Sequence, residues 1–181
     1  IDIPNSTTLE FPNSNQSFSF WIQIPVIPSP SGNDMAVLSK INPNLGGDPS
    51  GNSSQGFDIV FGQQPNQFLG YRIKSGSTSP WAFLTISSAS IGVTRWAHIV
   101  LTADKANSLL TGYLDGVNFT TSAIDPNTFV GQNQLSIRIG WGHWVSFSVP
   151  NNYFLGQLDD IGIWNRALTP CEVRALYLSS T

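Results

Sequence analysis

The sequence predicts an all-β protein: a sandwich of two antiparallel sheets finished by one short C-terminal helix. Three observations carry the prediction. A stretch near the N-terminus alternates strictly between apolar and small polar residues, turn signals recur along the chain at intervals of about 8–12 residues, and a helical apolar pattern occurs only at the C-terminal end. With 181 residues the chain can bury one substantial core, and no shift in composition marks a boundary, so residues 1–181 read as a single domain.

Taken in order, Ile1 to Leu9 is extended, with Pro4 confining it to a sheet edge or a strand start. In Ser17 to Ile24, Phe18, Phe20, Ile22 and Ile24 point one way, and Ser17, Ser19, Trp21 and Gln23 the other. This is a half-buried strand with Trp21 as the odd member of its polar face. A turn rich in proline (Pro25, Pro28, Pro30) leads to a short strand from Met35 to Ile41, and Asn42 to Gln55 reads as a surface loop. Phe57 to Phe61 and Gln67 to Ser75 form two strands joined across Gly62 to Asn66, and Trp81 to Ile86 begins another pair. Arg95 to Ala103 follows. Leu110 to Thr121 folds back at Asp115-Gly116, the strongest hairpin signal in the chain. Leu135 to Trp141 precedes the last strand, about the tenth or eleventh.

That last strand, Phe154 to Asn165, places Ile161 and Ile163 on one side of the pleat and Leu158 and Trp164 on the other, so both faces need apolar cover. Thr169, Pro170 and Glu172 then supply an N-cap, a first-position proline and a capping-box acid. Val173, Leu176 and Tyr177 recur at helical spacing to make a one-sided helix that has to dock.

Composition excludes several function classes. Eight basic against eleven acidic residues give a net charge of −3, which argues against a nucleic-acid partner, since that would need a basic stripe. No apolar run approaches the ~18 residues of a membrane span, so membrane insertion is not expected, and no signal peptide precedes Ile1, as in a mature protein or an excised domain. Cys171 is the one cysteine and cannot close an intramolecular disulfide; its place in the helix cap predicts a half-buried structural thiol. Sequons at Asn5, Asn15, Asn52 and Asn118 neither establish nor exclude glycosylation in a chain so rich in Asn, Ser and Thr.

Three segments carry a family resemblance. Gly156-x-Leu158-Asp159-Asp160-Ile161-x-Ile163-Trp164-Asn165-Arg166-Ala167-Leu168-Thr169 resembles the closing strand of laminin-G-like (concanavalin A-like) domains of secreted bacterial proteins. Ser17 to Ile22 resembles their opening core strand, and Trp96 to Val100 with Tyr113 to Gly116 resembles their central strand and hairpin. Together they cover roughly residues 1–178. The resemblance implies a jelly-roll β-sandwich, a secreted or cell-surface location and membership of a larger multidomain protein.

It also implies a calcium ion. Related jelly rolls, including the family-16 glycoside hydrolases, hold a structural calcium through an aspartate of the closing strand and carbonyls near the N-terminus; by motif the ligand here is Asp160. Asp2, Asn33 and Asp34 lie in segments that the fold brings nearby. The residues themselves bring one further argument: Asp159 and Asp160 are adjacent on a strand and so point to opposite faces, which forbids a converging catalytic pair and leaves one carboxylate in need of a partner. A cap on backbone amides or a pair with Arg166 would satisfy it equally.

The connection from Gly140 to Tyr153 is longer and more aromatic than the fold requires. Flat rings beside Asn, Ser and His side chains suit a sugar, whose C–H face stacks on a ring while its hydroxyls meet short polar groups. Trp144, Tyr153, Trp141, His143 and Asn152, with Trp81 from another loop, are the candidate ligand contacts. A core role for Trp141 is the alternative, and for His143 binding and an ordinary loop stand equal. His98, in the Trp96-Ala97-His98 strand of the resemblance, is expected to be structural and hydrogen-bonded. The Glu-x-Asp-x-x-Glu run of the family-16 enzymes is missing, and the only glutamates, Glu10 and Glu172, lie off any cleft-facing strand. The sequence therefore predicts a non-catalytic carbohydrate-binding module for a polysaccharide or other glycan. A structural or protein-adhesion domain is the alternative, and an enzyme would need a pair such as Asp58 with Asp104.

Overall fold

The computed structural model describes residues 1–11, 15–24, 35–41, 55–62, 68–75, 82–124, 133–142 and 153–179. They form strands β1 (Asp2–Ile3), β2 (Gln16–Gln23), β3 (Met35–Ser39), β4 (Gln55–Gly62), β5 (Phe68–Ser75), β6 (Ala82–Ser87), β7 (Trp96–Asp104), β8 (Leu109–Leu114), β9 (Val117–Ala123), β10 (Ile137–Ile139) and β11 (Gln157–Trp164), with helices α1 (Ser88–Ile91) and α2 (Pro170–Ser179). A six-stranded sheet runs β1-β10-β3-β4-β5-β6 and a five-stranded sheet runs β11-β2-β7-β8-β9, with every named strand pair antiparallel. This is the two-sheet jelly roll expected.

The interior follows from the alternation. Phe18, Phe20 and Ile22 of β2 are buried with Phe57, Ile59 and Phe61 of β4 in one core cluster. Phe18 lies 4.5 Å from Phe57 and 5.8 Å edge-on from Tyr71, and Phe11 closes the cluster 5.8 Å from Phe57. Tyr71 buries its hydroxyl, which accepts a 2.7 Å hydrogen bond from Gln16 Nε2, and burial pushes its pKa well up. The Asp115-Gly116 turn has φ of 51° and 76°, the left-handed pair that matches the twist of β8 and β9.

The structure corrects three sequence expectations, at β2, at Cys171 and in β11. β2 is covered on both faces, since Ser17 and Ser19 are buried as well. The reason is α2, which docks Val173 and Leu176, with Leu168 and Trp164, onto Val100 and Tyr113 on the outer face of the five-stranded sheet. Ser17 Oγ accepts from Leu168 N–H at 3.0 Å and donates to Arg166 O at 2.8 Å, tying the docked segment down. The predicted capping box forms, with Thr169 N–H donating to Glu172 Oε2 at 2.8 Å and Glu172 N–H to Thr169 Oγ1 at 3.3 Å. Cys171, expected to be half-buried, is exposed, because it falls on the solvent side of α2 while Val173 takes the core side.

The third correction lies in β11. Asp159 pairs with Trp21 but Gly162 pairs with Ser19, so three steps on β11 match two on β2. The extra residue is a bulge, and Asp160 carries it with φ of 48°. Alternation resets there. Leu158, Ile161 and Ile163 all pack on the main core, whereas Trp164 turns outward over Gly162, where an added Cβ would lie 2.3 Å from the indole. Both acids are exposed.

Candidate functional site

β10 is shorter than the Leu135 to Trp141 strand expected, because Gly140 turns the chain at φ of 82°. Its N–H donates to Val37 O at 2.8 Å and its carbonyl accepts from Phe154 N–H at 2.9 Å, while Tyr153 bridges in parallel to Ala36 of β3. These backbone bonds hold Trp141 and Tyr153 side by side. Their rings stack with centroids 6.5 Å apart and planes 25° from parallel. The Arg138 guanidinium sits 3.7 Å from the Trp141 ring centre, with its Nη1 donating to Gly142 O at 3.5 Å and its Nε at ion-pair distance, 3.5 Å, from Asp2 Oδ1. Burial pulls this guanidinium below its usual pKa, and Asp2 opposes the shift. Trp141 is thus half-buried bracing, and Tyr153, 50% exposed, is the ring that solvent meets. The other sugar-contact candidates, Trp144, His143, Asn152 and Trp81, lie outside the described residues.

The metal candidates are not gathered. Asp2 is on β1 of the six-stranded sheet and is engaged by Arg138, whereas Asp160 is on β11 of the five-stranded sheet. Asn33 and Asp34 lie outside the described residues. Calcium takes about 6–8 oxygen ligands, and among the described residues no three His, Cys, Asp or Glu side chains come together to hold a metal. The described residues therefore present no carboxylate-rich calcium site. Arg166, the other partner considered for Asp160, is taken by Glu172 at 2.6 Å.

Among the described residues, three further carboxylates are committed to structure. Asp58 is buried and accepts from Arg72 Nε and Nη2 at 2.6 and 2.7 Å. Asp104, on the other sheet, accepts from the backbone and side chain of Asn107 at 3.2 and 2.7 Å, closing the β7–β8 turn. Glu10 Oε1 accepts from Asn5 Nδ2, which places it beside the buried Lys40 that donates to Asn5 Oδ1 at 2.8 Å and to Leu135 O. Asp58 and Asp104 do not converge.

A second aromatic site escaped the sequence reading. On the outer face of the five-stranded sheet, Trp21, Trp96, Asp159 and Asp160 line a cleft of about 240 Å³. Register builds it: Asp159 lies opposite Trp21, Trp21 opposite His98, and Gln23 opposite Trp96. His98 is structural as expected, sharing a 2.9 Å hydrogen bond with Ser19 Oγ and donating its backbone N–H to Asp115 Oδ1 at 2.9 Å. Its ring packs in a triangle with Trp21, 5.2 Å away, and Tyr177 of α2, 5.9 Å away. Burial lowers its pKa, against the opposing fields of Asp115 and Asp160, so the imidazole is neutral at pH 7. Trp21 on a polar face was the one visible signal; the strand register that gives it neighbours was not.

Comparison with known proteins agrees with this architecture. The family model described as the concanavalin A-like lectin/glucanases superfamily, a laminin G family, matches residues 1–174. No curated protein matches the chain. Among solved structures, the binding domain of Paraclostridial mosquitocidal protein 1 is similar at 19% identity and TM-score 0.71, over 99% of this chain and 40% of that one. The botulinum neurotoxin DC binding domain in complex with rat synaptotagmin II is similar at 15% identity and TM-score 0.66, over 97% and 37%. The botulinum neurotoxin serotype D ligand-binding domain in complex with N-acetylneuraminic acid is similar at 15% identity and TM-score 0.65, over 91% and 36%. The chain spans roughly two-fifths of the length of these solved chains, so the likeness is one of fold. With the family model covering nearly the whole chain, and two antiparallel sheets in the matching arrangement, the protein belongs to the laminin-G-like concanavalin A-like lectin/glucanases superfamily.

Proposed function

We propose that this domain is a non-catalytic carbohydrate-binding module of a larger secreted or cell-surface protein. The observation that carries the reading is the Tyr153 ring, half exposed and held flat by the Trp141–Arg138 stack. A rigid ring with one free face offers a pyranose a stacking surface at little entropic cost. Asp2 neutralises Arg138 beneath it, which favours a neutral glycan over an acidic one. Neurotoxin binding domains of the same fold solved with N-acetylneuraminic acid and with SialylT support glycan binding by this architecture, though not the choice of a neutral glycan. Asp58 and Asp104, the pair considered for an enzyme, are each tied to a structural partner, Arg72 and Asn107.

The test is tryptophan fluorescence titrated with a panel of neutral plant and algal polysaccharides and sialylated glycans, with reducing ends assayed in parallel. A saturable change with one neutral glycan class and no new reducing ends is expected. Release of reducing ends would refute the non-catalytic reading.

A protein-adhesion role is the second reading, and one surface favours it. Among the described residues β9 is the last strand of its sheet, and it exposes the apolar Val117 (65%) and Phe119 (45%). The neurotoxin relative bound to synaptotagmin II supports that alternative. Glycan panels without response, together with capture of a protein partner that a Phe119→Lys variant loses, would establish it.

A further inference from the structure

We propose that the cleft formed by Trp21, Trp96, Asp159 and Asp160 binds a single organic ammonium group, a lysine-type or quaternary amine, between indole faces and paired carboxylates. The site lies on the five-stranded sheet, whereas Tyr153 sits against β3 of the six-stranded sheet, so it is separate from the glycan platform.

Four features point to a cation. Indole is the best side-chain face for one, and two indoles line the cleft, with Trp96 37% exposed. Asp159 and Asp160 make no ion pair among the described residues: Asp159 Oδ1 accepts only the Asp160 N–H, at 2.9 Å, and the Asp160 carboxylate accepts no hydrogen bond. The neighbouring bases are occupied, Arg95 by Asp115 at 2.9 Å and Arg166 by Glu172. The bulge leaves both acids exposed and lining the same cleft, with no counter-ion among the described residues.

His98 is 2% exposed, lies against Trp21 and leaves Nδ1 buried without a hydrogen-bond partner. A neutral imidazole there adds no positive charge to compete with a ligand. The choice of an organic cation over a divalent metal rests on the walls. Indole rings occupy the positions where a hard cation would require oxygens, and no third acidic, His or Cys ligand joins Asp159 and Asp160 among the described residues.

The experiment follows the indole N–H resonances in ¹H–¹⁵N spectra during titration with tetramethylammonium chloride, against sodium chloride and calcium chloride at equal ionic strength. Saturable shifts confined to Trp21 and Trp96, with Kd in the range of about 1–10 mM, are expected for one cation–π and charge-paired group. The Asp159→Asn/Asp160→Asn double variant should weaken binding roughly tenfold, and Trp96→Ala should abolish the saturable shift while the remaining backbone amides keep their positions. Trp96→Phe, which preserves an aromatic face, should retain part of it. Shifts no larger than those with sodium chloride, or a response to calcium chloride that exceeds the tetramethylammonium response, would overturn the assignment.

Discussion

Substitutions at Asp160 separate a bulged strand from a regular one by the order of their stabilities. At φ of 48° a side chain with a Cβ meets its own carbonyl, at a cost of about 1 kcal/mol that is greatest for β-branched residues and least for Asn and Asp. Glycine escapes the cost, offset in part by about 0.5–1 kcal/mol of added freedom in the unfolded chain. Asp160→Asn removes the repulsion with Asp159 while keeping the backbone tolerance, and so serves as the reference. Relative to it, Asp160→Gly should be level or up to about 0.5 kcal/mol more stable, and Asp160→Val about 2 kcal/mol less stable. For a chain of this length that gap is a Tm difference of roughly 4–8 °C. Urea and thermal melts of the three variants measure it. On an exposed position of a regular strand the order reverses, with Val above Asn and Gly lowest. That reversed order would refute the bulge, and with it the placement of both acids along one cleft.

Further outcomes follow from the core, the helix cap and the thiol. Tyr71→Phe leaves Gln16 Nε2 buried without an acceptor, beside a Gln16 Oε1 that already lacks a partner; the expected loss is about 1–3 kcal/mol in a urea melt. Glu172 is held at a pKa of about 2, below the usual 4.5, first by Arg166 and then by the Thr169 backbone and hydroxyl. Because the folded value is the lower one, its stabilisation is fully present above pH 4.5 and is lost as pH falls toward 2, so Glu172→Gln should flatten the acid limb of Tm against pH in that window. Cys171, being exposed, should react with a thiol reagent in the native protein as fast as after denaturation; protection in the native state would contradict its position on α2.

The sequence showed those parts of the fold whose signals are local. The alternation of Phe18, Phe20 and Ile22, the Asp115-Gly116 turn with its two positive φ values, and the Thr169–Glu172 capping box each rest on the chemistry of neighbouring residues. The bulge was hidden because one inserted residue leaves no mark in composition, and Asp159-Asp160 reads as ordinary alternation. The burial of Ser17 and Ser19 was hidden because it depends on where α2 lands, more than 140 residues away, as the contact between Ser17 and Arg166 at a separation of 149 illustrates. Of the site, the aromatic connection that supplies Trp141 and Tyr153 was legible. The placement of Asp2 against Arg138 and of Trp21 beside Asp159 depends on which strands become neighbours.

The most direct test of the central claim is calorimetric titration of the wild-type domain and its Tyr153→Ala variant with whichever glycan the panel identifies. The account predicts at least a roughly tenfold loss of affinity in the variant, about 1.4 kcal/mol, with Tm unchanged because Tyr153 is half exposed. Equal affinities in the two proteins would place the sugar elsewhere and contradict it.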